Sequence, residues 1–306
     1  MEFAPVGPVD ACFVADVRGF VGSRYTDAVS FDRVDPAQGW KCYGLTTVDR
    51  PDRTRRLRKE LDRLGIPYSL LEAERPADAF GFLNVGTHGC FLSHLECLRR
   101  ARADGVDVAV LVEDDAVVVR RFRRRLARII DELATVEWSM CYLGYLATSS
   151  PIRRSPVRLV SDHIARADGW EVTGSHFVAV RATALDSIIE NFEERLRPGG
   201  HRISPDGVLN EWRRDSASPT LICLPNLARQ GPSPSGTTTR PGLRSRLLEV
   251  DAIRSVAWPV KRLMWDAASS LPPRCCEQLW NRRVRDRRTD EHSVSAGPSP
   301  GVTPPS

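Results

Sequence analysis

Val108-Ala-Val-Leu-Val-Glu-Asp-Asp115 is the stretch on which the fold turns. Val108 to Val112, apolar without alternation, read as a strand covered on both faces of a sheet, and in open α/β sheets ligands gather at the carboxyl ends of such strands. Side chains alternate along an extended backbone, so Glu113 and Asp115 are expected to point one way and Asp114 the other. Two carboxylates on one side of a strand end make a hard-oxygen site for Mg²⁺ or Mn²⁺, the usual partners of a substrate diphosphate. The competing reading is that the triplet caps a following helix and complements its dipole, a task that needs only one of the three.

Working outward, Lys41 to Val48 reads as a first core strand and Asp49-Arg-Pro-Asp52 as the turn into a helix, with Pro51 suited to its first position. Leu57, Leu61 and Leu64 supply that helix's apolar stripe, and Gly65 ends it. Tyr68 to Leu71 is a short second strand, and a helix opened by Gly86 to His94 runs to about Ala103 before the central strand. Strand, helix, strand, helix, strand predicts parallel β-α-β units. Beyond the acidic triplet, Phe122, Leu126, Ile129, Ile130 and Leu133 mark a further helix with arginines on its wet faces. Strands are expected over residues 138–143, 173–180 and 220–224, helices at 182–192 and from Pro205, and a loop over 144–170.

The 306 residues suffice for one large core with appendages, and the divisions expected are an extension over 1–40, a catalytic domain over 41–225, a Gly/Pro/Ser-rich lid or linker over 226–246, a basic amphipathic helical tail over 247–290 and disorder over 291–306. Residues 1–239 carry 32 basic and 32 acidic residues, whereas 240–290 carry 12 and 6, so the net charge of +5 resides in the tail. Val260, Leu263, Met264, Ala267, Ala268 and Leu271 form an apolar stripe beside Trp258 and Trp265, which suits either peripheral contact with an anionic membrane or packing on the domain. The arginine cluster at 120–128 lacks stacking aromatics other than Phe122, which the core claims, so no nucleic-acid partner is expected. No run approaches a membrane span, and Glu2, Asp10 and Asp16 stand where a signal peptide would be basic and then apolar, so the expected location is the cytoplasm. The eight cysteines show no Cys-x-x-Cys spacing and are read as reduced core thiols, not as a zinc site.

Three segments, in order, resemble glycosyltransferase family 25, the group of lipopolysaccharide and collagen galactosyltransferases. They are Val48-Asp-Arg-Pro-Asp-Arg53 with Leu64-Gly-Ile-Pro67; Gly86-Thr-His-Gly-Cys-Phe-Leu-Ser-His94 followed by Leu111-Val-Glu-Asp-Asp115; and Tyr142-Leu-Gly144 with Gly174 to Val180 and Pro205-Asp-Gly207. The resemblance spans about residues 41–224. It implies a GT-A type α/β fold, a mostly parallel central sheet flanked by helices, a UDP-sugar donor and a divalent metal, Mn²⁺ or Mg²⁺, at an Asp-x-Asp-like motif whose place Glu113-Asp-Asp115 fills. Thr47 or Val48 stands where the family usually has Asn-Leu, and His88 where an acidic residue is common.

Residue by residue, Glu113 and Asp115 are the expected metal ligands and Asp114 a donor support. Asp49 and Arg53, in the first strand-to-helix turn, are expected at the nucleotide, the carboxylate on ribose or uracil and the guanidinium on phosphate. His94 reads as a packing residue by itself and as a donor-site residue within the resemblance, while His176 reads as packing. Asp206 in its Pro-Asp-Gly turn is either turn chemistry or the base that deprotonates an acceptor hydroxyl, with Glu211 second. Together these imply a metal-dependent, inverting transfer of galactose or glucose from a UDP-sugar to a glycan, glycolipid or protein hydroxyl. One rival is nucleotidyl or phosphoryl transfer, for which Gly86-Thr-His-Gly89 is a poor phosphate loop. The other is a catalytically inactive relative that binds a glycan or a partner.

Overall fold

The computed structural model describes residues 24–28, 39–119, 122–146, 156–167, 172–219, 221–231 and 271–282. In chain order they form β1 (Arg24–Ala28), β2 (Trp40–Thr47), α1 (Pro51–Leu64), β3 (Tyr68–Ala73), α2 (Val85–Asp104), β4 (Val108–Glu113), β5 (Ala116–Val118), α3 (Phe122–Thr135), β6 (Met140–Gly144), β7 (Val157–Leu159), β8 (Ile164–Ala167), β9 (Phe177–Arg181), α4 (Ala182–Leu196), α5 (Pro205–Asp215), β10 (Leu221–Cys223) and β11 (Ala228–Gln230), with a further helix over 273–282. The strands join in one sheet of order β1-β3-β2-β4-β9-β6-β10-β8-β7, and β11 pairs with β5 and β6 off that path. β4 is central and buried, as its unbroken apolar run predicts.

Alternation along β4 divides the core. Ala109 and Leu111 pack with residues of α2, α4 and α5 on one face, whereas Val108, Val110 and Val112 pack with α1 and α3 on the other. The helix limits follow local chemistry. α1 starts at Pro51 and stops at Gly65, whose φ of 69° suits glycine. α2 starts where the Asn84 side chain accepts the Thr87 N–H, and it ends at Gly105, φ 65°. The stripe predicted for α3 is its buried face.

Gly44 on β2 leaves room for α1. A Cβ there would lie 2.8 Å from Cδ1 of both Leu61 and Leu70. Gly44→Ala is therefore expected to cost about 1–3 kcal/mol by overpacking, readable as a lower urea midpoint with unchanged slope.

The central sheet is mostly parallel, as expected: β2, β3, β4, β6 and β10 run in one direction, and β9 lies antiparallel between β4 and β6. Several expectations need correction. The strand expected from Thr173 starts only at Phe177, because Gly174 takes φ +86° and the N–H groups of Gly174 and Ser175 bind a carboxylate instead of a strand. Within the stretch read as a loop, β7 and β8 form an antiparallel pair, and Ile164 and Ala165 are fully buried. Ala228–Gln230, the start of the expected lid, is a strand. The rest of that segment from 232, the extension apart from residues 24–28 and 39–40, and the final 24 residues lie outside the described residues.

Of the tail, residues 271–282 are described, and they pack on the domain. The Asn281 side chain accepts from Val157 N and donates to Val157 O, both at 2.9 Å, and Glu277 accepts from Leu159 N, so side chains satisfy part of the β7 backbone. Trp280 sits edge-on to Tyr145. The apolar stripe from Val260 to Ala268 lies outside the described residues. Among the described residues no helix is long and apolar enough to cross a membrane.

Candidate active site

Parallel β2, β3 and β4 end at one edge of the sheet, and a cavity of about 320 Å³ opens there. Thr46 and Thr47 line it from the end of β2, Ala73 from β3, Arg50 and Arg53 from the start of α1, Cys90 and His94 from α2, and Gln230 from β11. Glu113, Asp114 and Asp115 complete it. They cap no helix: Asp114 and Asp115 form a turn from β4 into β5.

The three carboxylates have different surroundings. Asp114 is buried and accepts from Arg53 Nη1 at 2.8 Å and from Thr46 Oγ1 at 3.1 Å, so it ties the triplet to β2 and α1. Glu113 Oε1 accepts from Ser175 Oγ at 3.2 Å and lies 3.5 Å from His94 Nε2. Asp115 Oδ1 is buried with no hydrogen-bond partner, although the Asp115 carbonyl accepts the Gly231 N–H. Burial first, and then the neighbouring carboxylates, raise the Glu113 pKa well above the ordinary range and bring Asp115 to about 6. A divalent cation would relieve both effects, and the orphaned Asp115 oxygen beside Glu113 is the donor set that a hard cation takes.

β9 brings the other side of the site into place. Because it is antiparallel to β4, it begins where β4 ends, and Glu113 N–H donates to His176 O at 3.0 Å. The residues just before it, Gly174 and Ser175, give their N–H groups to the two oxygens of Asp206, at 2.9 and 2.7 Å. Asp206 lies in the first turn of α5 behind this bend and does not line the cavity. Glu211 is likewise not brought to the cavity; it pairs with Arg195 at 2.7 Å. Asp49 is exposed and off the lining, where Arg50 of the same turn stands instead. Arg53, His94, Glu113, Asp114 and Asp115 are the expected site residues that converge on one cavity.

His94 is fully buried, and its Nδ1–H donates to Cys90 O at 2.9 Å. Burial lowers its pKa, which favours the neutral ring with its lone pair on Nε2, the atom that faces Glu113. His176 packs as expected: it is buried against Gly144, off the cavity, and burial lowers its pKa to about 4.

Sequence reasoning did not single out Cys90, Arg75 or Gln230, all on the lining. Cys90 had a legible signal in its i, i+4 spacing from His94 on one helix face. Gln230 had none, since only the pairing of β11 with β5 and β6 brings it there.

No protein-family model matches the chain. It is 26% identical over 147 residues to procollagen galactosyltransferase 1-A of Xenopus laevis, an alignment covering 40% of this chain and 23% of that protein. It is 38% identical over 64 residues to a probable inactive glycosyltransferase 25 family member 3 of Rattus norvegicus, covering 20% and 11%. The chain thus spans less than a quarter of the length of these curated relatives. Among solved structures it is similar to mannosyltransferase PcManGT from Pyrobaculum calidifontis in complex with GDP-Man and Mn²⁺, at 12% identity, TM-score 0.32, and 91% and 90% of the two chains. It is also similar to a mannose-1-phosphate geranyltransferase from Thermus thermophilus, at 12% identity, TM-score 0.34, and 62% and 75%. In class, then, this is a glycosyltransferase-like α/β protein. Its particular likeness, weak and partial, is to glycosyltransferase family 25.

Proposed function

We propose that the protein is a divalent-cation-dependent glycosyltransferase that moves a hexose from a UDP-sugar to a hydroxyl of a glycan, glycolipid or protein acceptor. The observation that carries this reading is the buried, unpartnered Oδ1 of Asp115 beside Glu113, at the strand-end edge of a cavity that Arg50 and Arg75 also line. Glu113 and Asp115 would hold Mn²⁺ or Mg²⁺, which would neutralise charge on the departing diphosphate. Arg75 offers a guanidinium group for phosphate oxygens, and Arg50, whose guanidinium pairs with Asp52 at 3.2 Å, would exchange that pair for a phosphate. Asp114 acts indirectly, by holding Arg53 and Thr46 against the carboxylate turn. Asp206 is given no proton transfer here, since both its oxygens already accept backbone N–H groups.

The test is UDP release from UDP-galactose and UDP-glucose with and without Mn²⁺. Metal-dependent turnover of either donor is expected. A second reading, a non-catalytic glycan- or partner-binding relative, is supported by the matches to two family members named as inactive. Absence of turnover together with absence of metal-dependent UDP binding by calorimetry would decide for it.

A further inference from the structure

We propose that Cys90, His94 and Glu113 form a transition-metal site of the zinc type, with sulfur, nitrogen and oxygen donors. Among the described residues these three bring one donor atom each to within 4.8 Å of the others. Cys90 and His94 stand four residues apart on α2 and so share a face of a rigid helix, while Glu113 ends the central strand. His94 Nε2 and Glu113 Oε1 are 3.5 Å apart. Tetrahedral zinc, with metal–nitrogen and metal–oxygen bonds of about 2.0–2.2 Å, holds such a donor pair roughly 3.4 Å apart.

The surroundings match what a ligating histidine needs. Nδ1–H donates to the Cys90 carbonyl at 2.9 Å, which fixes the tautomer and leaves Nε2 for the metal. Ser175 Oγ and Glu113 Oε1 both lie 3.5 Å from Nε2. All three residues line the cavity, which gives a cation its entry path. As the metal–sulfur bond forms, the thiol proton passes to bulk buffer. The pairing of a thiolate with an imidazole selects Zn²⁺ or Co²⁺ over Mg²⁺, for which the oxygens of Glu113 and Asp115 alone would suffice. Although it shares Glu113 with the hard-cation site, this inference does not need the transferase reading, and its test involves no sugar donor.

The experiment is Co²⁺ titration of the chelator-stripped full-length chain, followed by absorption. One equivalent is expected to give a near-ultraviolet thiolate-to-cobalt charge-transfer band and intense tetrahedral visible bands, both removed by one equivalent of Zn²⁺. Cys90→Ser should abolish the near-ultraviolet band, and Cys275→Ser with Cys276→Ser, the neighbouring thiols of the tail, should leave it intact. Zn²⁺ but not Mg²⁺ should also slow alkylation of Cys90 in the unsubstituted protein by at least tenfold, read by mass spectrometry, a measurement independent of whether Cys90→Ser folds. A band that survives Cys90→Ser, weak octahedral spectra without charge transfer, or unchanged alkylation would overturn the proposal. Each of those results would leave the UDP-release assay to decide the transferase reading separately.

Discussion

Asp115→Asn is expected to lower metal-dependent UDP release by at least ~100-fold while making the metal-free protein more stable at pH 7. The loss follows because the amide removes one of two charges that would hold the cation. The gain follows because Asp115 Oδ1 is a buried acceptor without a partner, and the burial that raises its pKa to about 6 marks a carboxylate that folding disfavours in its charged form. Between the ordinary value of 3.8 and about 6 the folded chain binds the proton more readily than the unfolded one, so this group's contribution to stability falls as pH rises through that window. The advantage of Asp115→Asn over wild type should thus be near zero at pH 4 and reach roughly 2 kcal/mol by pH 7 in chelator. Working with the difference also cancels His176, whose lowered pKa works in the opposite direction, with stability lost as pH falls from 6.5 toward about 4. Denaturant melts of both proteins at the two pH values make the measurement. Equal stabilities at pH 7 would show that the Asp115 carboxylate is not strained by its surroundings.

Asp206→Ala should cost about 2–4 kcal/mol, because it leaves two backbone N–H groups, those of Gly174 and Ser175, without the acceptor they now share. It should also release Ser175 from Glu113, since the bend that Asp206 holds aims that hydroxyl at the carboxylate. Asp206→Asn should recover little, because its NH₂ group would face an N–H donor. The distinction from a catalytic base lies in which quantity moves. A base substitution lowers turnover and leaves the denaturation midpoint in place, whereas loss of this clamp shifts the midpoint substantially. Chemical denaturation of Asp206→Ala at pH 7 with an unchanged midpoint would restore Asp206 as a candidate base.

Much of the fold was legible because its signals are local. The apolar run of β4, the leucine stripe of α1 and the stripe of α3 each state a periodicity, and Pro51 and Gly65 mark helix ends through constraints on φ. The carboxylates at the end of β4 were legible for a related reason: nothing in strand formation calls for three acids there, and a parallel strand flanked by helices delivers its end to a cleft. Arg53 and Asp114 reach the cavity for the same local reason, as they sit at the ends of elements that meet there, whereas His94 reaches it from the middle of α2.

What the chain does across long separations was decided only in three dimensions. The direction of β9 depends on which edge of β4 it meets, and a five-residue strand reads identically either way. The role of Asp206 was likewise hidden, because a Pro-Asp-Gly turn has the same sequence whether its carboxylate faces a substrate or takes the N–H groups of a bend 31 and 32 residues earlier. Glu211 was drawn to Arg195 on α4, and Gln230 was carried to the cavity by strand pairing within a segment whose composition suggests a linker. Periodicity and end-capping are properties of neighbours in the chain, so the sequence by itself determined the elements and the acidic edge. Pairing and charge partnering are properties of neighbours in space, so the tertiary structure alone decided which acids stay open to a ligand and which are consumed in holding the fold.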